Sequence, residues 1–160
     1  MPISKKIEGY LKKAGIKYET VKHKKVYTAH DLAATLKKGL NAVAKNLLVK
    51  ADKKYIVVSI PAGSKLDLGK LKKVLKAGAV RIAGEPEIKK VLKLKLGMLP
   101  PFAQMHKLEL VMDKALLKAK EVLISAGSFT DSLRVKVKDL HKLENARVAD
   151  FAKKVTKKKR

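Results

Sequence analysis

Apolar positions Ile3, Ile7, Tyr10, Leu11 and Ala14 recur at three- and four-residue spacing, which predicts an amphipathic helix stopped by Gly15. From Ile16 to His23 the pattern changes to alternation, the signature of a strand. A second helix is predicted over Thr28–Gly39, with Thr28 as N-cap and Asp31 in its first turn. Asn41–Lys50 then reads as a strand, and "KYIVVSIP" (Lys54–Pro61) as its partner across a polar turn. Within the first of these, Val43, Lys45, Leu47 and Val49 share one face, while Ala44 and Leu48 occupy the other. Both faces are largely apolar, yet one carries a lysine. That lysine needs a reason.

The remaining pattern predicts a helix beginning near Asp67, a short strand over Ala79–Gly84 and a helix from Glu85 with Pro86 in its first turn. Gly97, Pro100 and Pro101 break any regular structure in "LGMLPPFAQ". Three more strands follow over Lys107–Asp113, Lys120–Gly127 and Ser132–Val137, then a helix with a short extension up to Ala152. Irregularly interspersed strands and helices predict a single α+β domain over residues 1–152, a mixed, partly closed β-sheet or barrel surrounded by helices. Residues 153–160 are expected to be a basic disordered tail.

Composition narrows the chemistry. At 160 residues and 46% hydrophobic, the chain suits one domain with a sizeable core. It holds no apolar run long enough for a bilayer and no apolar leader-like segment, so no membrane is expected and a cytoplasmic location is. With no cysteine, disulfides and thiol nucleophiles are excluded. A net charge of +25 points to a polyanionic partner, foremost nucleic acid, although a lysine-rich genome would give the same sum. Only four of the 39 basic residues are Arg, which favours loose backbone contact over base-edge readout. Residues 96–135 carry five basic and four acidic side chains, a nearly neutral stretch inside a very basic protein.

No nucleophile elbow, HExxH, P-loop or dinucleotide fingerprint is present. His23, His30, His106 and His141 show no ligand spacing, and neither metal nor cofactor is expected. Glu85 and Glu87 are accounted for by a helix start. Three features remain. An ammonium on a buried strand must neutralise, pair, snorkel out or meet an anionic ligand, and that applies to Lys45. The turn Gly97–Phe102 either exposes backbone N–H groups to a ligand or is an ordinary loop. In "SAGSFTDS", Ala126 and Gly127 either admit a ligand backbone or form a plain turn.

The ordered set "VYTAHDLAATL", "VAKNLLVK", "KLDLGKL", "VRIAGEPEI", "GMLPPFA", "LVMDKAL" and "ISAG" resembles the YbaK/prolyl-tRNA synthetase-associated editing domain family, from about His23 to about Leu143. The resemblance implies a free-standing, trans-acting aminoacyl-tRNA deacylase that hydrolyses the ester of mischarged tRNA. Its expected partners are tRNA and an aminoacyl-tRNA synthetase. It places the family's strand lysine on Lys45, holding the terminal adenosine, and the family's GxxxP loop on Gly97 and Pro101, with Phe102 adjoining. Gly127 matches the glycine bordering the amino-acid pocket, with Ala126 and Ser128 beside it. Thr28 and Asp113 match recurring positions with structural roles, and Thr28 also stands among the substrate-binding candidates. Asn46 replaces the Thr of many members, and Ser128–Phe129 replace a His found in several subfamilies. Alanine or cysteine on tRNA for proline is the expected cargo. The competing reading is a non-catalytic tRNA- or RNA-binding module of the same fold.

Overall fold

The helical spacing near the N-terminus becomes α1 (Lys5–Ala14), which buries Ile7 and Leu11 and ends where Gly15 takes φ +73°. The computed structural model describes residues 5–26, 29–37, 39, 42–93, 99–125 and 128–154. After α1 come β1 (Tyr18–Lys22), α2 (Ala29–Thr35), β2 (Ala44–Ala51), β3 (Lys54–Pro61), β4 (Ser64–Leu66) and α3 (Leu68–Leu75). The chain continues through β5 (Val80–Ile82), α4 (Glu85–Leu92), β6 (Glu109–Asp113), β7 (Glu121–Ser125), β8 (Asp131–Lys136), α5 (Val137–Glu144), β9 (Arg147–Ala149) and β10 (Ala152–Lys154).

The strands form a five-stranded sheet, β5-β2-β3-β6-β9, a three-stranded sheet, β1-β8-β7, and a two-stranded ribbon, β10-β4. In the larger sheet β3 pairs β2 antiparallel but β6 parallel, so the mixed α+β class holds. A parallel bridge between Val43 and Leu123 joins the two larger sheets, which stay open and form no closed barrel. Alternation along β2 divides the core. Ala44 and Leu48 pack with Val57, Leu110 and the helices α1, α4 and α5 on one face. Val49 packs with Ile60, Leu71, Val111 and Phe151 on the other.

Several predicted boundaries hold because local chemistry sets them. Asp67 caps α3, its carboxylate accepting from the Lys70 N–H at 3.0 Å. Pro86 sits in the first turn of α4, where its missing N–H costs nothing. Glu87 does more than face a helix dipole. It accepts from the Gly84 N–H, pairs with both Arg81 nitrogens at 2.6 and 2.8 Å, and takes the Tyr55 hydroxyl at 2.6 Å. Together these hold its carboxyl well below the ordinary range, the Arg81 contact foremost. Strands β4, β9 and β10 escaped the pattern, being three residues each. Lys153 and Lys154, expected in the tail, are the last two residues of β10.

Candidate functional site

β2 carries the lysine that the sequence singles out. Lys45 stands opposite Ile60 of β3 on the face shared with Leu47 and Val49, and it is only partly exposed. Burial pushes its ammonium below the ordinary value, and the positive charge of Lys65 on β4 pushes the same way. Its immediate surroundings therefore disfavour a positive charge there. No carboxylate among the described residues pairs with it.

The neighbouring residue faces the other way and fastens a loop. Asn46 Nδ2 donates to the Leu99 carbonyl at 3.0 Å, inside the core. This bond clips the start of the proline turn Leu99–Phe102 to the strand that bears Lys45. Its other side-chain atom, Oδ1, is buried without a hydrogen-bond partner, as is Oγ of Ser59, the residue opposite on β3. Sequence reading noted Asn46 only as a variant. An amide directly before the apolar run "LLV", on a strand largely apolar on both faces, was the available signal.

A second loop approaches through the three-stranded sheet. The Val43–Leu123 bridge is parallel, so two residues further along each chain come Lys45 and Ser125, the end of β7. Beyond Ser125, the turn into β8 is shaped by Ser128, whose Oγ accepts from Thr130 N–H at 3.2 Å and Asp131 N–H at 3.1 Å. His23 lies against this turn. Its backbone N–H donates to the Thr130 carbonyl, its Nδ1 lies 2.8 Å from the Lys24 carbonyl and its Nε2 2.9 Å from Ser132 Oγ. Since a carbonyl only accepts, Nδ1 carries a proton, and in the neutral ring Nε2 is then the acceptor for the Ser132 hydroxyl.

The arrangement is thus a partly buried cation on one face of β2, with a proline turn clipped by Asn46 to the opposite face and a second turn following β7. The sequence matches the aminoacyl-tRNA editing domain over residues 23–143, three quarters of its length. The chain belongs to this family. Its fold is similar to that of a protein described only as hypothetical, with a TM-score of 0.87 at 25% identity, covering 93% of this chain and 100% of that one. It is also similar to a protein described as a candidate trans-editing enzyme for prolyl tRNA synthetase, with a TM-score of 0.83 at 24% identity. That match covers 94% of this chain and 98% of the other.

Within this family framework the expected site residues divide. Lys45, Pro101, Phe102 and Ser128 are placed on or beside the strands and turns just described. Thr28, Gly97, Ala126 and Gly127 lie outside the described residues. Phe102 is a core residue, 2% exposed, its ring centroid 5.9 Å from that of Tyr10, so its side chain packs in the core and is not offered to a ligand. The Ser128 hydroxyl is fully buried in folding its own turn. Asp113 has the structural role expected of it. Its Oδ1 accepts from Phe151 and Ala152 N–H at 2.8 Å each, and its Oδ2 from Ala115 N–H at 2.9 Å. No helix of the described residues is long and apolar enough to cross a membrane, and no three potential metal ligands cluster among them.

Proposed function

We propose that the protein is a trans-acting aminoacyl-tRNA deacylase that hydrolyses the ester of mischarged tRNA, with alanine or cysteine on tRNA for proline as cargo. The observation that carries this is Lys45: a partly buried ammonium whose charged influence is another lysine. A fold gains nothing from such a cation, whereas a ligand bringing phosphate supplies the missing counter-charge. In this reading the ligand is an aminoacyl-tRNA, which family membership supports. Lys45 grips its terminal adenosine.

Hydrolysis needs a water aligned with the ester carbonyl, a destination for its proton and donors for the oxyanion. The free hydroxyl of the terminal ribose lies next to the ester. It takes the proton of the attacking water while passing its own to the departing ester oxygen. The C–O bond breaks to give the free amino acid and an intact ribose, so the substrate assists its own cleavage. Backbone N–H groups of the two turns, around Gly97 and Gly127, stabilise the oxyanion. Lys45 holds the adenosine end in place while this happens.

The test is a panel of mischarged tRNAs, followed for ester loss. Lys45→Ala should fold at least as well as the parent, because an unpaired charge is removed, and should cleave about a hundredfold or more slowly. A tRNA lacking the neighbouring ribose hydroxyl should bind nearly normally and hydrolyse far more slowly. Parental turnover of that deoxy substrate would transfer the base to a side chain, with His23 and Asp131 next in line. Parental turnover by Lys45→Ala would make Lys45 a snorkelling strand residue with no part in cleavage. A parent that cleaves none of the panel would instead leave a non-catalytic RNA-binding module.

A further inference from the structure

β10 is three residues long, yet buried groups hold it in place. Phe151, just before it, is 0% exposed, and its carbonyl accepts from Asp67 N–H at 2.9 Å. Asp113 takes the N–H groups of both Phe151 and Ala152. The resulting register sets Ala152 opposite Leu66 and Lys153 opposite Lys65. Leu66 and Ala152 turn inward onto the apolar cluster of Phe151, so Lys65 and Lys153 share the outward face, where both are exposed.

Directly opposed residues in an antiparallel pair lie about 5 Å apart at Cβ, and like charges there destabilise the ribbon. No carboxylate offsets them among the described residues. Asp113 is occupied by backbone N–H groups, and Asp150 by Lys70 at 3.8 Å and Lys114 at 3.6 Å. Lys65 is also the charge that acts on Lys45. Ser64 and Ala152 of the same ribbon line a groove of about 540 Å³ together with Ala42 and Pro61, the residues bordering the Lys45 end of β2 and β3. Beyond β10 the sequence continues with Lys157, Lys158, Lys159 and Arg160.

We propose that Lys65 and Lys153, held side by side on the β4–β10 ribbon, form a phosphate-binding rail for the RNA backbone next to the end received by Lys45. This rests on the deacylase reading for the identity of the RNA. It adds a second, separable contact that sets affinity and takes no part in bond cleavage.

The experiment compares Lys65→Ala/Lys153→Ala with Lys89→Ala/Lys90→Ala, which removes the same charge from the exposed face of α4. Deacylated tRNA is titrated against each by fluorescence anisotropy across a range of NaCl, and single-turnover cleavage is measured at saturating mischarged tRNA. The ribbon pair should weaken binding roughly tenfold and lower the salt slope by about two, one per lysine. Cleavage at saturation is compared for Lys153→Ala alone, which leaves the charge of Lys65 acting on Lys45, and should stay at the parental rate. The α4 pair should lose much less. Equal losses from the two pairs, or no loss from the ribbon pair, would overturn the rail. A parent that binds tRNA through the ribbon but cleaves no ester would overturn the deacylase reading and leave the rail standing. A parent that binds no tRNA would overturn both.

Discussion

Lys45 and Asn46 are neighbours in sequence that point to opposite faces of β2, and the division of labour between them follows from that alternation. Lys45 awaits an anion, while Asn46 positions a turn. Asn46→Ala leaves the buried Leu99 carbonyl without its donor, a loss of about 1–3 kcal/mol, partly offset because the unpartnered Oδ1 disappears too. Urea unfolding should show a modest net destabilisation, and ester cleavage should slow because the proline turn is no longer clipped to the lysine strand. A variant with the parental rate would show that the turn holds its place without Asn46. Ser59→Ala tests the other orphan. Removing a buried hydroxyl that has no partner should leave stability within about 1 kcal/mol of the parent, or raise it. A larger loss would mean that a buried water bridges Ser59 and Asn46.

At the scale of elements, two buried carboxylates fasten segments that local propensity could not hold. Asp113 carries the chain into β10, and Asp113→Ala would strand three backbone N–H groups. Loss of about 3 kcal/mol or more is expected, with the β4–β10 ribbon opening first, readable as faster amide exchange at Ala152 and Lys153. Glu144, fully buried at the end of α5, accepts from the Tyr10 hydroxyl of α1 at 2.7 Å and from Gln104 N–H at 2.9 Å, just past the proline turn. Burial pushes its carboxyl above the ordinary 4.5, against the pull of those two donors. The folded state therefore binds the proton more tightly than the unfolded chain does. Stability is fullest at and below that ordinary value, and falls as pH rises through the higher folded pKa. Glu144→Gln keeps an acceptor for Gln104 and an amide for Tyr10, and should abolish that fall in a series of urea titrations from pH 4.5 upward. A parallel slope in both proteins would assign the pH dependence to another group.

For the whole molecule, the excess of 39 basic over 14 acidic side chains acts on folding and binding with opposite signs. Added NaCl screens self-repulsion and should raise the melting temperature of the free protein, while it weakens tRNA binding by reducing counterion release. Melting curves and anisotropy titrations in the same buffers check both. A melting temperature that falls with salt would show that ion pairs such as Arg81–Glu87 and Arg134–Glu19 outweigh the general repulsion.

Long periodic segments and strong caps were legible from the chain alone, because their causes are local. Asp67 and Pro86 mark helix starts through groups one turn away, and "KYIVVSIP" is a strand because it is dense in β-branched residues, Ile56, Val57, Val58 and Ile60. The oddness of Lys45 was legible too, since an ammonium on an apolar strand conflicts with its surroundings whatever the fold. Only the tertiary structure decided what surrounds it. The clip from Asn46 to Leu99 spans 53 residues, and the grip of Asp113 on Phe151 spans 38. The pairing of Lys153 with Lys65 depends on that grip and on a register set by Leu66 and Ala152. Such contacts join residues with no periodic relation. Three-residue strands like β4 and β10 exist only because a distant partner supplies their hydrogen bonds and burial.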